Sequence, residues 1–243
     1  MFRSLATFTF NSLSNTAISK GGWYVVSNQT VNALAGNDKI TGRGGIVGIQ
    51  IEGKLDTGSG NDKITGRSAD ANGNGIYNTG TIDTGSGKDS IVGIGPSIGI
   101  YNNGTISTGY GNDVIKGSGR SCGIQNDRII DTGAGDDIVD ALQGGFSGSG
   151  QTYLGSGNDT LKGFVVPGSQ AGFTLGTFDG GSGTDRILLG QGTYTITASS
   201  IASGGVTMTV NAFEKVGGAN GGLFNLANGT LTVAANGVAT FAA

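Results

Sequence analysis

The chain has 243 residues, 50 of them Gly and only 2 Pro, with 36% hydrophobic residues, a net charge of −3 and no His. That length allows one large domain or two small ones, and the lack of a G-X-Y period excludes collagen. The mild acidity argues against the basic face that a nucleic-acid partner needs, no apolar run reaches membrane-spanning length, and the lone Cys122 excludes an internal disulfide framework.

The N-terminal stretch "MFRSLATFTFNSLSNT" is broken by Thr, Asn and Ser, so it lacks the continuous apolar segment of a cleaved secretion signal. Within residues 1–24, "TFNSLSNTAISKGG" reads as a degenerate first coil acting as a cap, with Thr16 in an Asp position and Ile18 in an apolar one. A glycine-aspartate loop then recurs, as "DTGSGNDKITG" from Asp56, "DTGSGKDSIVG" from Asp83, "STGYGNDVIKG" from Ser107, "DTGAGDDIVDA" from Asp131 and "YLGSGNDTLKG" from Tyr153. Anchored on Asp38, Asp62, Asp89, Asp113, Asp137, Asp159 and Asp185, the unit is about 24 residues long, a period that means a solenoid or array.

Three apolar columns recur in each unit. Ile40, Ile64, Ile91, Ile115, Val139, Leu161 and Ile187 lie two after the anchor, and Val31, Leu55, Ile82, Ile106, Ile130, Thr152 and Phe178 seven before it. Val25, Ile49, Ile76, Ile100, Ile124 and Phe146 form the third. The segments around them are short, Gly-rich and β-branched, which predicts strands rather than helices. Gly53, Gly80, Gly104, Gly150 and Gly176, and likewise Gly42, Gly66, Gly93, Gly117 and Gly163, are expected at corners with positive φ or close backbone stacking. The expected fold is all-β: a three-sided, right-handed parallel β-helix over residues 25–190. After Gly190 the repeat is expected to stop, and "TYTITASS", "GVTMTVNAFEKVGG" and "GTLTVAANGVATFAA" read as strands of a C-terminal β region, residues 191–243.

Twelve of the 17 Asp and Glu fall in the loops: the seven anchors, Asp136, and a second column at Asp56, Asp83, Asp131 and Asp179. Stacked coils lie about 4.8 Å apart. Neighbouring carboxylates at that spacing repel by ~0.8 kcal/mol in water and ~3 kcal/mol at an effective dielectric of 20. The abundant ligand atoms are all oxygens, so a cation held there would be Ca²⁺, with all eleven column residues as candidate ligands. The alternative is a polar turn column satisfied by its own backbone.

"GGSGTDRIL", Gly180 to Leu188, resembles the haemolysin-type (RTX) calcium-binding nonapeptide G-G-x-G-x-D-x-U-x at every fixed place. Weaker copies keep G-x-G-x-D-x-U, as at Gly58, Gly60, Asp62 and Ile64, with Thr57, Thr84, Thr108 and Thr132 replacing the first Gly. The resemblance implies Ca²⁺ between successive turns and export by type I secretion through an uncleaved C-terminal signal. Family turns hold about 18 residues with calcium on both edges, so this chain is expected to carry ions along one corner only. "FEKVGGANGG" resembles the segment that follows such repeats, without its Asp.

Catalysis is not expected, because Glu52, Asp70, Asp127, Asp140 and Glu214 form no convergent pattern and no His is available. Ice binding would want paired Thr ranks, whereas the loop Thr residues form a single rank. The expectation is an extracellular or cell-surface structural protein that self-assembles into a homopolymer: a filament, surface layer or matrix. The alternative is an RTX-type adhesin or carbohydrate-binding module without self-assembly, with a cell-surface polysaccharide as candidate partner. Neither nucleic acid nor membrane insertion is expected.

Overall fold

The computed structural model describes residues 3–5, 8–9, 13–164 and 174–243. It is all-β, a parallel β-solenoid of about seven turns with a repeat near 24 residues. Three sheets run along it. The first face stacks Arg3–Leu5, Trp23–Val25, Val47–Ile51, Asn74–Asn78, Ile98–Asn102, Cys122–Asn126 and Phe146–Ser147. The second begins at Phe8–Thr9 and runs through three-residue rungs such as Lys54–Asp56 and Thr81–Asp83. The third begins at Thr16–Ser19 and includes Lys39–Gly44, Lys63–Ser68 and Ser90–Ile94.

The core follows the apolar columns. Ile64, Ile91, Ile115, Val139, Leu161 and Ile187 are fully buried and in register on the third face. Leu55, Ile82, Ile106 and Ile130 line the second in the same way. The central rungs, such as that of Ile76, Ile82 and Ile91, each remove three branched side chains from water, and fully burying one is worth roughly 1.5–3 kcal/mol.

At the N-terminal end the register differs from expectation. Ala17, not Ile18, pairs with Ile40, while Ile18 pairs with Thr41 and is exposed. Asn15, rather than Thr16, therefore stands beside Asp38. Val25 pairs with Ile51, so Trp23 takes the place beside Ile49 in the first-face column. The bulky indole compensates for the small Ala17 facing the same interior space.

Gly42, Gly66, Gly93 and Gly117 are not corners but lie within third-face strands. Their φ is ordinary, and what demands Gly is proximity: a Cβ on Gly117 would stand 2.0 Å from the carbonyl oxygen of Gly123 on the first face. The first and third faces meet there nearly backbone to backbone, which leaves the core wedge-shaped.

Polar residues also enter the interior. Asn78 Nδ2 donates to Asn102 Oδ1 at 2.7 Å, and Asn102 Nδ2 to Asn126 Oδ1 at 2.8 Å. Each amide also donates to a backbone carbonyl of the next coil, of Thr105, Ile129 and Gln151 in turn. Thr152, the polar member of the second-face column, accepts from Asn126 at 3.3 Å. Cys122 is buried between Gly145 and Ser147, and burial pushes its thiol up to about 11, as suits a packing residue.

The stack does not stop at Gly190. Val206–Asn211 adds a parallel rung to the second face and Lys215–Gly218 one to the third. Antiparallel strands then take over. Ser200–Ser203, Gly192–Ile196, Gly229–Val233 and Ala239–Ala242 extend the second face, and Gly221–Asn225 closes the third.

Candidate functional site

The loop between second and third faces turns on two glycines. In its best-formed copy Asp56 ends a strand, Gly58 and Gly60 take φ of 86° and 129°, and Lys63 begins the next strand. A Cβ at Gly58 would also stand 1.7 Å from the Leu34 carbonyl oxygen of the previous coil. Both the torsion and the close approach therefore require Gly. Loops stack directly: Gly60 N donates to Ser86 O at 2.7 Å, and Ser86 N donates to Gly58 O at 2.9 Å.

This stacking brings the seven anchor carboxylates into one buried row. Each accepts the backbone N–H of the anchor one coil earlier. Asp38 N donates to Asp62 Oδ1, Asp62 N to Asp89 Oδ1 and Asp89 N to Asp113 Oδ1. Asp113 N donates to Asp137 Oδ1, Asp137 N to Asp159 Oδ1 and Asp159 N to Asp185 Oδ1, all six at 2.7 Å. Two residues close the row that the repeat pattern does not include. Asn15 donates through its backbone and side chain to Asp38 Oδ1, and Asp185 N donates to Glu214 Oε2 at 2.7 Å. Glu214, read from sequence as an unplaced charge, thus fills the missing Asp position of "FEKVGGANGG". Its distance of two residues from Val216, which pairs with Ile187, is the signal that would have found it.

A second row runs beside the first with opposite polarity. Asn61 N donates to Asn37 Oδ1, Lys88 N to Asn61 Oδ1, Asp136 N to Asn112 Oδ1 and Asn158 N to Asp136 Oδ1. Between the rows the hydroxyls of Thr84, Thr108 and Thr132 donate to carbonyls of the following coil. Side chains therefore stitch each coil to both neighbours. In this respect the loop column has the self-satisfied character of a polar turn.

One atom in each carboxylate escapes that accounting. Oδ2 of Asp38, Asp62, Asp89, Asp113, Asp137, Asp159 and Asp185 is buried with no hydrogen-bond partner. A buried, unpartnered carboxylate oxygen is costly when ionised. Accordingly, burial first and neighbouring carboxylates after it push the Asp89 and Asp137 carboxyls up to about 7 and Asp159 to about 6, against the lowering pull of backbone N–H groups and, at Asp89 and Asp137, of the nearby Thr84 and Thr132 hydroxyls. Burial likewise raises Asp62, Asp113 and Asp185, against the backbone N–H groups and, at Asp62 and Asp113, the nearby Thr57 and Thr108 hydroxyls.

The donor set suits a hard cation: seven carboxylate oxygens without hydrogen-bond partners in a row, which a cation would favour in their ionised form. A calcium ion there would be held by the anchor Oδ2 atoms, one from each loop. The second acidic column does not join them. Asp56 and Asp83 pair with Lys54 at 2.7 and 3.1 Å on the outside of the second face, and Asp131 and Asp179 continue that register. Among the described residues no three acidic side chains converge on one point. Further ligands would have to come from the second lone pairs of loop carbonyls and from water. Comparison with known proteins finds no matching family model, no matching curated protein and no matching solved structure.

Proposed function

We propose that the chain is a structural β-solenoid of the cell exterior, stiffened by Ca²⁺ along the Asp38 to Asp185 row and assembled end to end with its own copies. The observation that carries this reading is the row of seven buried Oδ2 atoms without partners. A cation that neutralises them removes the burial penalty and the rung-to-rung repulsion together. The resemblance of "GGSGTDRIL" to the RTX nonapeptide supports calcium as that cation and export by type I secretion as the route. Assembly is supported by the ends of the sheets. Among the described residues the second face starts at Phe8–Thr9 and finishes at Ala239–Ala242, and the third starts at Thr16–Ser19 and finishes at Gly221–Asn225. These edge strands carry unpaired backbone groups, and Gly221 to Ala243 has no charged side chain to discourage pairing. A contact between opposite ends is heterologous and need not close, so it propagates as a filament or lattice.

Ca²⁺ that binds only the folded chain stabilises it by ~1.4 kcal/mol per site at a tenfold excess over Kd. The test is a thermal melt followed by circular dichroism in calcium, in EGTA and in EGTA with excess Mg²⁺. A lower melting temperature in EGTA that Mg²⁺ does not restore is expected. A melt indifferent to chelator would reduce the loops to hydrogen-bonded turns and overturn the calcium reading.

A further inference from the structure

Away from the acidic row, the first coils carry an unneutralised cationic grid on the outer side of the third face. Strands Lys39–Gly44 and Lys63–Ser68 pair with Lys39 beside Lys63 and Arg43 beside Arg67. Ser19 pairs with Gly42, which sets Lys20 next to Arg43. All five side chains are exposed. In a chain of net charge −3, five of its 14 Lys and Arg thus crowd onto about three rungs. Among the described residues the ion pairs involve only Lys54 and Lys116, so none of the five has an acidic partner. Asp70, in the turn after the second of these strands, accepts the N–H of Asn72 within its own turn, and Asp38 and Asp62, which precede Lys39 and Lys63, are turned into the buried row.

One further observation makes this a site rather than a solvated charged face. Lys20, Arg43, Arg67 and Ser68 line an open cleft floored by Gly44, Gly45 and Ala69, whose small or absent side chains give a ligand access to the strand ends. The cations repeat in a straight row at one coil per step, about 4.8 Å. Their ligand therefore needs anionic groups that recur along an extended chain. Among the described residues no aromatic ring stands on the grid for bases to stack upon, which disfavours single-stranded nucleic acid.

We propose that Lys20, Arg43 and Arg67, with Lys39 and Lys63 beside them, bind an anionic polysaccharide through its carboxylate or sulfate groups. A pyranose unit is about one rung long, so successive acidic sugars meet successive coils. The two arginines present planar forks that match either group bidentately. The site does not depend on calcium, because neither arginine belongs to the loop row.

Binding of labelled oligogalacturonate and of dextran sulfate to the full chain tests this, in calcium buffer where circular dichroism confirms the fold. Neutral dextran, a single-stranded DNA oligomer and anionic vesicles are run beside them. The expected result is binding of one or both acidic glycans, identifying carboxylate or sulfate as the preferred group. The double variant Arg43→Gln/Arg67→Gln should weaken it at least tenfold and flatten the plot of log Kd against log salt by about two. Arg128→Gln, in the turn between the first and second faces, should leave it unchanged. Equal binding by the double variant, no binding of either glycan, or DNA or vesicles bound as tightly and lost alike would overturn the assignment. A melt insensitive to chelator would sink the calcium reading and leave this result untouched.

Discussion

At the scale of single residues, the anchor aspartates hold two opposed demands. Oδ1 is required as an acceptor by the N–H of the preceding coil, while Oδ2 is buried and orphaned. Without a cation, burial raises the folded carboxyls of Asp62, Asp89, Asp113, Asp137, Asp159 and Asp185 above their unfolded value, so the folded chain binds more protons than the unfolded one. That contribution is complete below the ordinary Asp range and is lost as pH rises through about 7, where Asp89 and Asp137 titrate. In EGTA the melting temperature should therefore rise as pH falls from 8 to 5. Calcium, which prefers the ionised carboxyl, should flatten the trend. Asp137→Asn keeps the acceptor and removes the charge, so it should reduce the slope in EGTA and reduce the gain from calcium. An unchanged slope in that variant would place the titration elsewhere. A second residue shows where the repeat has decayed. Leu34 stands where later loops have Gly and is held at φ 69°, in the left-handed region. Leu34→Gly should relieve that strain and stabilise the chain by about 1 kcal/mol, partly offset by the backbone entropy of Gly. A chemical-denaturation midpoint that falls would show that packing of the half-exposed Leu34 outweighs the torsion.

At the scale of elements, strand identity came from the spacing of branched residues, but strand register at the first coil did not. Thr16 and Ile18 matched the Asp-x-Ile template in sequence, yet pairing places Asn15 and Ala17 in those roles. The hydrogen-bond ladder decides this, because Asn15 satisfies Asp38 Oδ1 while a one-residue slip would turn every side chain of the strand to the other side. The Asn column was hidden for a similar reason. Asn78, Asn102 and Asn126 lie outside the apolar, Gly and Asp columns of the repeat, and only stacking turns their amides into a buried ladder with each donor satisfied. The proposed assembly rests on the terminal elements. Ala239–Ala242 is the last strand of the second face and pairs on one side only, with Gly229–Val233. Removing residues 239–243 should abolish filaments seen by electron microscopy in calcium, with only a small change in the melt. Filaments that persist would move the contact away from this edge.

At the scale of the whole molecule, the solenoid concentrates small periodic features into long rows. One Asp per loop becomes a buried acidic row, one Asn an interior amide ladder, and five cations a grid on one face. Coupling between coils is nearest-neighbour, so loss of an anchor Asp in the middle of the row should weaken two interfaces and loss at an end only one. The sequence alone determined the period, the three apolar columns and the anchor aspartates, because these recur at fixed spacing and each is a local preference repeated. Tertiary structure alone decided what no period encodes. It showed that the stack runs past Gly190, that Glu214 and Asn15 close the acidic row, and that Asp56 and Asp83 belong outside it with Lys54. It also showed that the Gly117 column marks two faces in contact rather than a corner. Each of these depends on which coil lies beside which, and on the few ångströms between them, and that distance is set only once the whole stack has formed.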